Sequence, residues 1–279
     1  MKRWILLITA ALALTLGLLG CSTLDEKQRA WIFQPGDRSW GNSAEAARGM
    51  DDTWVEYESA ITERKVRLHG LWLPAAKANA PVLLYLHGAR WNVAGSAGRI
   101  RRMQELGFSV LAVDYRGFGQ TSRELPSEAM ASEDARAAWD WLAARYPERK
   151  RYVFGHSLGG AIAIDLAAKV NDEAGTIVEG TFTSISDVVS ATRWGWVPVG
   201  PLLTQRFEAL RKVADIGSPL LVVHGERDTM IPSDLGRKLF EAARGPKAFV
   251  LVEGGSHFNT NAVGQKQYRK ALAELFALG

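Results

Sequence analysis

The sequence predicts an α/β fold: a mostly parallel central sheet of about eight strands with helices on both faces. Three observations carry this. Short apolar runs alternate with helix-length segments along most of the chain, the pattern of repeated βα units. The run Val82-Leu83-Leu84-Tyr85-Leu86 is apolar at every position, as in a strand buried on both faces. The apolar Tyr152-Val153-Phe154 leads through Gly155-His156-Ser157-Leu158-Gly159 into the helix-like Ala161–Ala168, a strand that becomes a helix within a few residues.

Taken in order, Trp54–Ser59 and Val66–Pro74 read as strands forming a leading antiparallel hairpin, the second with Val66, Leu68, Leu71 and Leu73 as its apolar positions. Strand Val82–Leu86 follows. Ile100–Leu106 reads as a helix, Ser109–Val113 as a strand, and Ser132–Arg145 as a helix with Ser132 and Glu133-Asp134 at its start. After strand Tyr152–Phe154 and its helix come strands Thr176–Glu179 and Leu220–Val223, helix Asp234–Ala243, strand Phe249–Val252 and the closing helix Gln265–Leu278. No internal repeat or low-complexity block interrupts the series.

The amino-terminal end has a different character. Lys2 and Arg3 precede an apolar stretch, Trp4–Leu19, that ends at Leu18-Leu19-Gly20-Cys21. Sixteen residues fall short of the roughly twenty that span a bilayer. The ending resembles the lipobox of bacterial lipoproteins, which implies a signal peptide over residues 1–20, lipidation of Cys21 and anchoring in the cell envelope. Ser22 after the cysteine implies the outer membrane if the cell is Gram-negative. Residues 21–52 are polar, with turn signals at Pro35-Gly36-Asp37 and Trp40-Gly41-Asn42. They are expected to be a tether, with Trp31 and Trp40 as the residues able to pack down, and 53–279 to be one domain. Cys21 is the single cysteine, so no intramolecular disulfide supports the fold. Without Lys2 and Arg3 the chain keeps 32 basic against 30 acidic residues, a balance that does not argue for nucleic acid.

Gly155–Gly159 is where chemistry is expected. A serine on a sharp strand-to-helix turn is held above the sheet edge, and the glycines on either side let the chains pass closely. Its hydroxyl needs a base, and the base needs an acid to fix its tautomer. Of the five histidines, His69 lies in a strand, His156 sits beside the serine, and His87 and His224 each close a buried strand before a glycine. His257, in the loop Gly254–Asn259, is the candidate base. Asp228, four residues past His224, is the first candidate acid and gives the chain order serine, acid, histidine. Glu179 is its rival, and Asp114 reads as structural. Two backbone amides must face the developing oxyanion: one from Leu158, the other from Ala89 or, failing that, Arg90 in His87-Gly88-Ala89-Arg90.

These residues resemble the α/β-hydrolase superfamily, and within it the small members without a large lid domain. The shared motifs are His87-Gly88, Asp114-Tyr115-Arg116-Gly117-Phe118-Gly119, Gly155–Gly159, Phe182-Thr183-Ser184, His224–Pro232 and His257, over about residues 54–278. The resemblance implies an α/β-hydrolase fold and a serine hydrolase cleaving carboxylic esters or thioesters of small or lipid acyl substrates through an acyl-enzyme. A peptidase or acyltransferase using the same three residues, or a non-catalytic lipid-anchored binding protein, are the alternatives. Only about forty residues separate strands Thr176–Glu179 and Leu220–Val223, too few for a large lid. Trp91, Trp194, Trp196 and Leu202 are the expected substrate pocket, with packing against the sheet or the membrane interface as the alternative. No metal, nucleotide or haem motif is present, so no cofactor is expected.

Overall fold

The computed structural model describes residues 22–36, 43–90, 92–192, 195–196 and 198–278. Eight strands form one sheet: β1 (Asp51–Glu58), β2 (Lys65–Leu73), β3 (Val82–Leu86), β4 (Ser109–Val113), β5 (Arg151–His156), β6 (Glu173–Glu179), β7 (Leu220–Gly225) and β8 (Lys247–Val252). Their order is β1-β2-β4-β3-β5-β6-β7-β8. The β1–β2 and β2–β4 pairs are antiparallel and every later pair is parallel. The chain direction across the sheet reverses at β3, and ligand sites of open α/β sheets form beyond the carboxyl ends of strands at such a point.

Alternate side chains of each central strand feed different cores, as the two-residue strand period requires. Val82, Leu84 and Leu86 join the cluster under α4 (Glu128–Arg145), α5 (Leu158–Ala167) and α8 (Ser233–Ala242). Leu83 and Tyr85 join the opposite cluster, under α3 (Ala97–Glu105) and α10 (Gln265–Phe276). The other described helices are α1 over residues 22–33 and the short α2 (Ser43–Ala46), α6 (Ile185–Ser190), α7 (Ala209–Lys212) and α9 (Thr260–Val263).

Helix α4 begins four residues before the expected start. Ser127, not Ser132, is its cap: the Ser127 hydroxyl accepts from the Met130 amide at 3.2 Å. Ser132 instead donates to Asp165 at 2.7 Å.

The stretch expected to be an irregular tether is, over 22–36, folded onto the domain. Ile32 and Phe33 are buried in the α4–α5 core, and the Phe33 ring packs against Phe207 at 5.7 Å and Phe118 at 6.5 Å. Polar contacts tie down the rest of α1: Arg29 donates to the Pro126 carbonyl at 3.0 Å, Gln28 to the Leu202 carbonyl at 2.7 Å, and Gln205 to Asp25 at 2.9 Å. None of the described helices is long and apolar enough to cross a membrane. The signal segment and Cys21 lie outside the described residues.

Candidate active site

Ser157 occupies the single residue between β5 and α5 and adopts φ 55° and ψ −122°. A non-glycine residue held there costs on the order of 1–3 kcal/mol, which the surrounding structure must impose. The flanking glycines explain how. A Cβ on Gly155 would overlap the Gly159 carbonyl, and one on Gly159 would overlap the Leu86 carbonyl, so only glycine lets the turn close this tightly against β3. The Ser157 amide donates to the Glu179 carbonyl at 2.9 Å, extending the sheet ladder one residue past the strand.

The loops after β7 and β8 bring two distant side chains to this serine. His257 Nε2 lies 3.0 Å from Ser157 Oγ, and His257 Nδ1 lies 2.8 Å from Asp228 Oδ2. The other Asp228 oxygen accepts from the Met230 and Ile231 amides at 3.0 and 2.8 Å, which fixes the carboxylate plane. Burial opposes ionisation of Asp228, but the hydrogen bond and charge of His257, with the Ile231 amide and nearby His224, hold its carboxyl below the usual range. Ser157 and Asp228, 100 and 29 residues from His257 in the chain, therefore form with it one continuous hydrogen-bonded row.

The other carboxylates considered are committed elsewhere. Glu179 is fully buried, pairs with Arg99 at 2.8 Å and accepts from the Tyr268 hydroxyl. Asp114 sits between His87 at 3.3 Å and His69 at 3.5 Å and accepts the Val93 amide at 2.7 Å. The histidines set aside have structural partners too. His224 Nε2 donates to the Ile231 carbonyl at 2.8 Å, and His156 Nε2 donates to the His257 carbonyl at 3.0 Å, bracing the His257 backbone from behind. Desolvation, then the charge of Arg99, drives the His156 pKa well below its ordinary value, so this ring stays neutral.

Because β3 and β5 are sheet neighbours, with Leu86 opposite Gly155, the turn after β3 lies beside the serine. A Cβ on Gly88 would stand 3.0 Å from the Ser157 Cβ. The two amides considered in this turn differ in availability. The Arg90 N–H donates to the Phe33 carbonyl at 2.9 Å, whereas among the described residues the Ala89 N–H has no acceptor. Leu158 is the first residue of α5, where an amide has no intrahelical acceptor. Of the three amides expected from the sequence, Ala89 and Leu158 are thus the ones left without an acceptor among the described residues.

A cavity of about 630 Å³ opens onto these groups, within the usual size range of a small-molecule site. The pocket expected from the sequence is corrected at Trp196 and Leu202. Trp196 and Leu202 are 78% and 63% exposed and do not line the cavity, while Trp91 and Trp194 lie outside the described residues. The reason is local. Ser184 caps α6 by accepting from the Asp187 amide at 3.1 Å, and that helix turns Ile185, Val188 and Val189, spaced i, i+3 and i+4, onto the cavity. Phe182, Leu158 and Ile231 extend this apolar wall, and Trp31, Ile32 and Gln34 close the opening from the amino-terminal segment. The only forewarning of that contribution was a few large apolar residues in a polar stretch. Among the described residues no group of three or more His, Cys, Asp or Glu could hold a metal ion.

Known proteins resemble this chain in sequence and in shape. The model of the serine aminopeptidase, S33 family matches residues 77–211. The uncharacterized protein Rv2307c of Mycobacterium tuberculosis is 34% identical over 235 residues, covering 83% of this chain and 80% of that protein. The lysophosphatidylserine lipase ABHD12 of Rattus norvegicus is 30% identical over 225 residues, 73% of this chain, which spans about half (51%) of that relative. In structure, the esterase Pf2001 of Pyrococcus furiosus matches with a TM-score of 0.69 over 88% of this chain and 97% of that one, at 19% identity, a likeness of fold.

Proposed function

The chain belongs to the α/β-hydrolase family, and on that premise we propose that it is a serine hydrolase of acyl esters, with Ser157 as nucleophile, His257 as base and Asp228 as the acid that orients it. The observation carrying this reading is the row Asp228 Oδ2, His257 Nδ1, His257 Nε2, Ser157 Oγ, with spacings of 2.8 and 3.0 Å. In the reaction, His257 Nε2 takes the Ser157 proton as Oγ bonds to the acyl carbon, and the Leu158 and Ala89 amides receive the charge that moves onto the carbonyl oxygen. Asp228, ionised and hydrogen-bonded to Nδ1–H, keeps the accepting nitrogen toward the serine and stabilises the imidazolium. Collapse breaks the bond to the leaving oxygen or sulfur, which takes the proton from His257. Water then repeats the sequence on the acyl-enzyme and restores Ser157.

Two features favour an ester over a peptide. The apolar wall from Phe182 to Val189 suits an acyl chain. No carboxylate lines the cavity among the described residues, whereas an aminopeptidase needs a negative group to hold the substrate's free ammonium. The relative ABHD12, a lipase, supports the same direction.

The decisive experiment compares p-nitrophenyl esters of increasing chain length, a thioester and an aminoacyl anilide, on the wild type and on Ser157→Ala. Ester turnover lost in the variant, with the far-UV spectrum unchanged, is expected. Full ester turnover without the Ser157 hydroxyl would defeat the mechanism. We also propose that Cys21 carries a lipid that holds the enzyme at a bacterial envelope membrane, to be tested by metabolic labelling with an alkyne fatty acid and its loss in Cys21→Ser.

A further inference from the structure

Strand β5 lies between β3 and β6, so the loop after β3 and helix α6 after β6 stand on opposite sides of Ser157. The α6 side is apolar, through Phe182, Ile185, Val188 and Val189. The β3 side carries Arg90. Two arginines line the cavity, Arg90 and Arg99, and no aspartate or glutamate does among the described residues. Arg99 is already neutralised: its Nε pairs with buried Glu179 at 2.8 Å, and its Nη2 reaches the Phe258 carbonyl at 3.4 Å. Arg90, an exposed residue, forms no ion pair with any described residue, so among the described residues it is the one cavity-lining guanidinium without a counter-charge.

That guanidinium is also held in place. Arg90 has φ 69°, a left-handed conformation that strains a residue with a side chain and that glycine would adopt freely. The Phe33 carbonyl takes its amide at 2.9 Å, and Gln34 Oε1 takes its Nε at 2.9 Å. With Nε occupied and no described residue accepting from the two terminal nitrogens, the fork keeps donors for a ligand, in the arrangement that suits a carboxylate or phosphate.

We infer that Arg90, buttressed by Phe33 and Gln34, is a subsite for an anionic group on the substrate, so that the enzyme acts on acyl esters bearing a negative charge on the side of the ester away from the α6 wall. The inference rests on the hydrolase reading above and adds the charge of the substrate to it. It gives residues 33 and 34 a part in specificity that a passive tether would not have.

The test compares two soluble esters with the same acyl chain, decanoyl glycerol and decanoyl glycerol phosphate, below their aggregation limits. The readout is the ratio of their kcat/KM values. The ratio is expected to favour the phosphorylated ester in the wild type, to fall about ten- to hundredfold in Arg90→Gln, the range of a charge-assisted hydrogen bond, and to be partly retained in Arg90→Lys. An unchanged ratio in Arg90→Gln overturns the assignment, because a residue that merely shapes the loop would reduce both substrates alike. Binding of the two esters to Ser157→Ala, followed by titration calorimetry, reads the same preference without turnover. If the wild type cleaves neither ester, the hydrolase reading fails, while tighter binding of the phosphorylated ester, lost with Arg90, still supports the subsite and equal binding still overturns it.

Discussion

Phe33→Ala distinguishes an amino-terminal segment that belongs to the domain from one that merely leads to it. The side chain is fully buried, 0% exposed, among residues of the α4–α5 core. Withdrawing a phenylalanine ring from such a site forfeits about 1.5–3 kcal/mol of transfer free energy. Its ring contacts with Phe207, edge-on at 5.7 Å, and Phe118, tilted at 6.5 Å, add about 0.5–1.5 kcal/mol each. The total agrees with the roughly 3–5 kcal/mol measured for core Phe→Ala changes elsewhere. For a domain of this size each kcal/mol moves Tm by about 2–4 °C, so a drop of about 10 °C is expected, read by thermal denaturation followed at the tryptophan signal and checked by the urea midpoint. A Tm within about 2 °C of wild type would mean that α1 is not docked in solution, and the cavity wall built from Trp31, Ile32 and Gln34 would fall with it.

Two further substitutions separate chemistry from scaffold. Asp228→Asn turns an amide N–H toward His257 Nδ1 and favours the wrong tautomer, so activity is expected to fall by about three to four orders of magnitude with little change in Tm. Glu179→Gln leaves buried Arg99 without its counter-charge and is expected to cost roughly 3–5 kcal/mol of stability; the reverse pattern, with Asp228→Asn active and Glu179→Gln inactive but fully stable, would exchange the two assignments. The pH dependence of stability provides a third measurement. His156 is held neutral in the fold, its pKa well below the ordinary value, with His224 displaced in the same direction. Below about pH 6.5 the unfolded chain therefore binds protons that the folded chain refuses. Stability is fully present above that pH and declines toward acid by up to about 1.4 kcal/mol per pH unit for each such group. His69, displaced upward after the hydrogen bonds of Asp114 and Asp52 outweigh its burial, acts with the opposite sign and offsets part of this. His156→Gln, which keeps a donor for the His257 carbonyl, is expected to remove one proton's worth of slope between pH 6.5 and 5 in urea unfolding; an unaltered slope would refute the assignment.

The sheet was legible because its central strands are buried on both faces, so that Val82–Leu86 and Leu220–Val223 appear as unbroken apolar runs. Ser157 was legible because the steric demands of the elbow are written as glycines at fixed positions. The amino-terminal segment was not, since its attachment depends on the buried Phe33 ring, on main-chain acceptors at Pro126 and Leu202, and on the Arg90 amide that donates to the Phe33 carbonyl, none of which leaves a periodicity behind. The start of α4 was misplaced for a related reason: Ser127 and Ser132 are equally suited to capping, and Ser132 is claimed by Asp165 on a different helix. Trp196 and Leu202 were misread because their bulk was counted without regard to their place past the end of α6, where they stay exposed while Ile185, Val188 and Val189 line the cavity.

The choice of acid shows where sequence reasoning ends and three-dimensional neighbours take over. Asp114, Glu179 and Asp228 all stand at or just past the carboxyl ends of strands on the same rim of the sheet, and any of them is chemically able to orient an imidazole. What separates them is which cation or donor reaches each one first. Arg99 comes to Glu179 from α3, 80 residues upstream, and makes it a counter-ion. His69 comes to Asp114 from β2 and, with His87, makes it a brace for the turn after β3. Asp228 alone has one oxygen secured by its own loop amides and the other left for His257. A carboxylate at this rim becomes available to a catalytic histidine when its own loop satisfies it only halfway, and Glu179, whose oxygens are taken by Arg99 and Tyr268, would need both partners removed before it could compete.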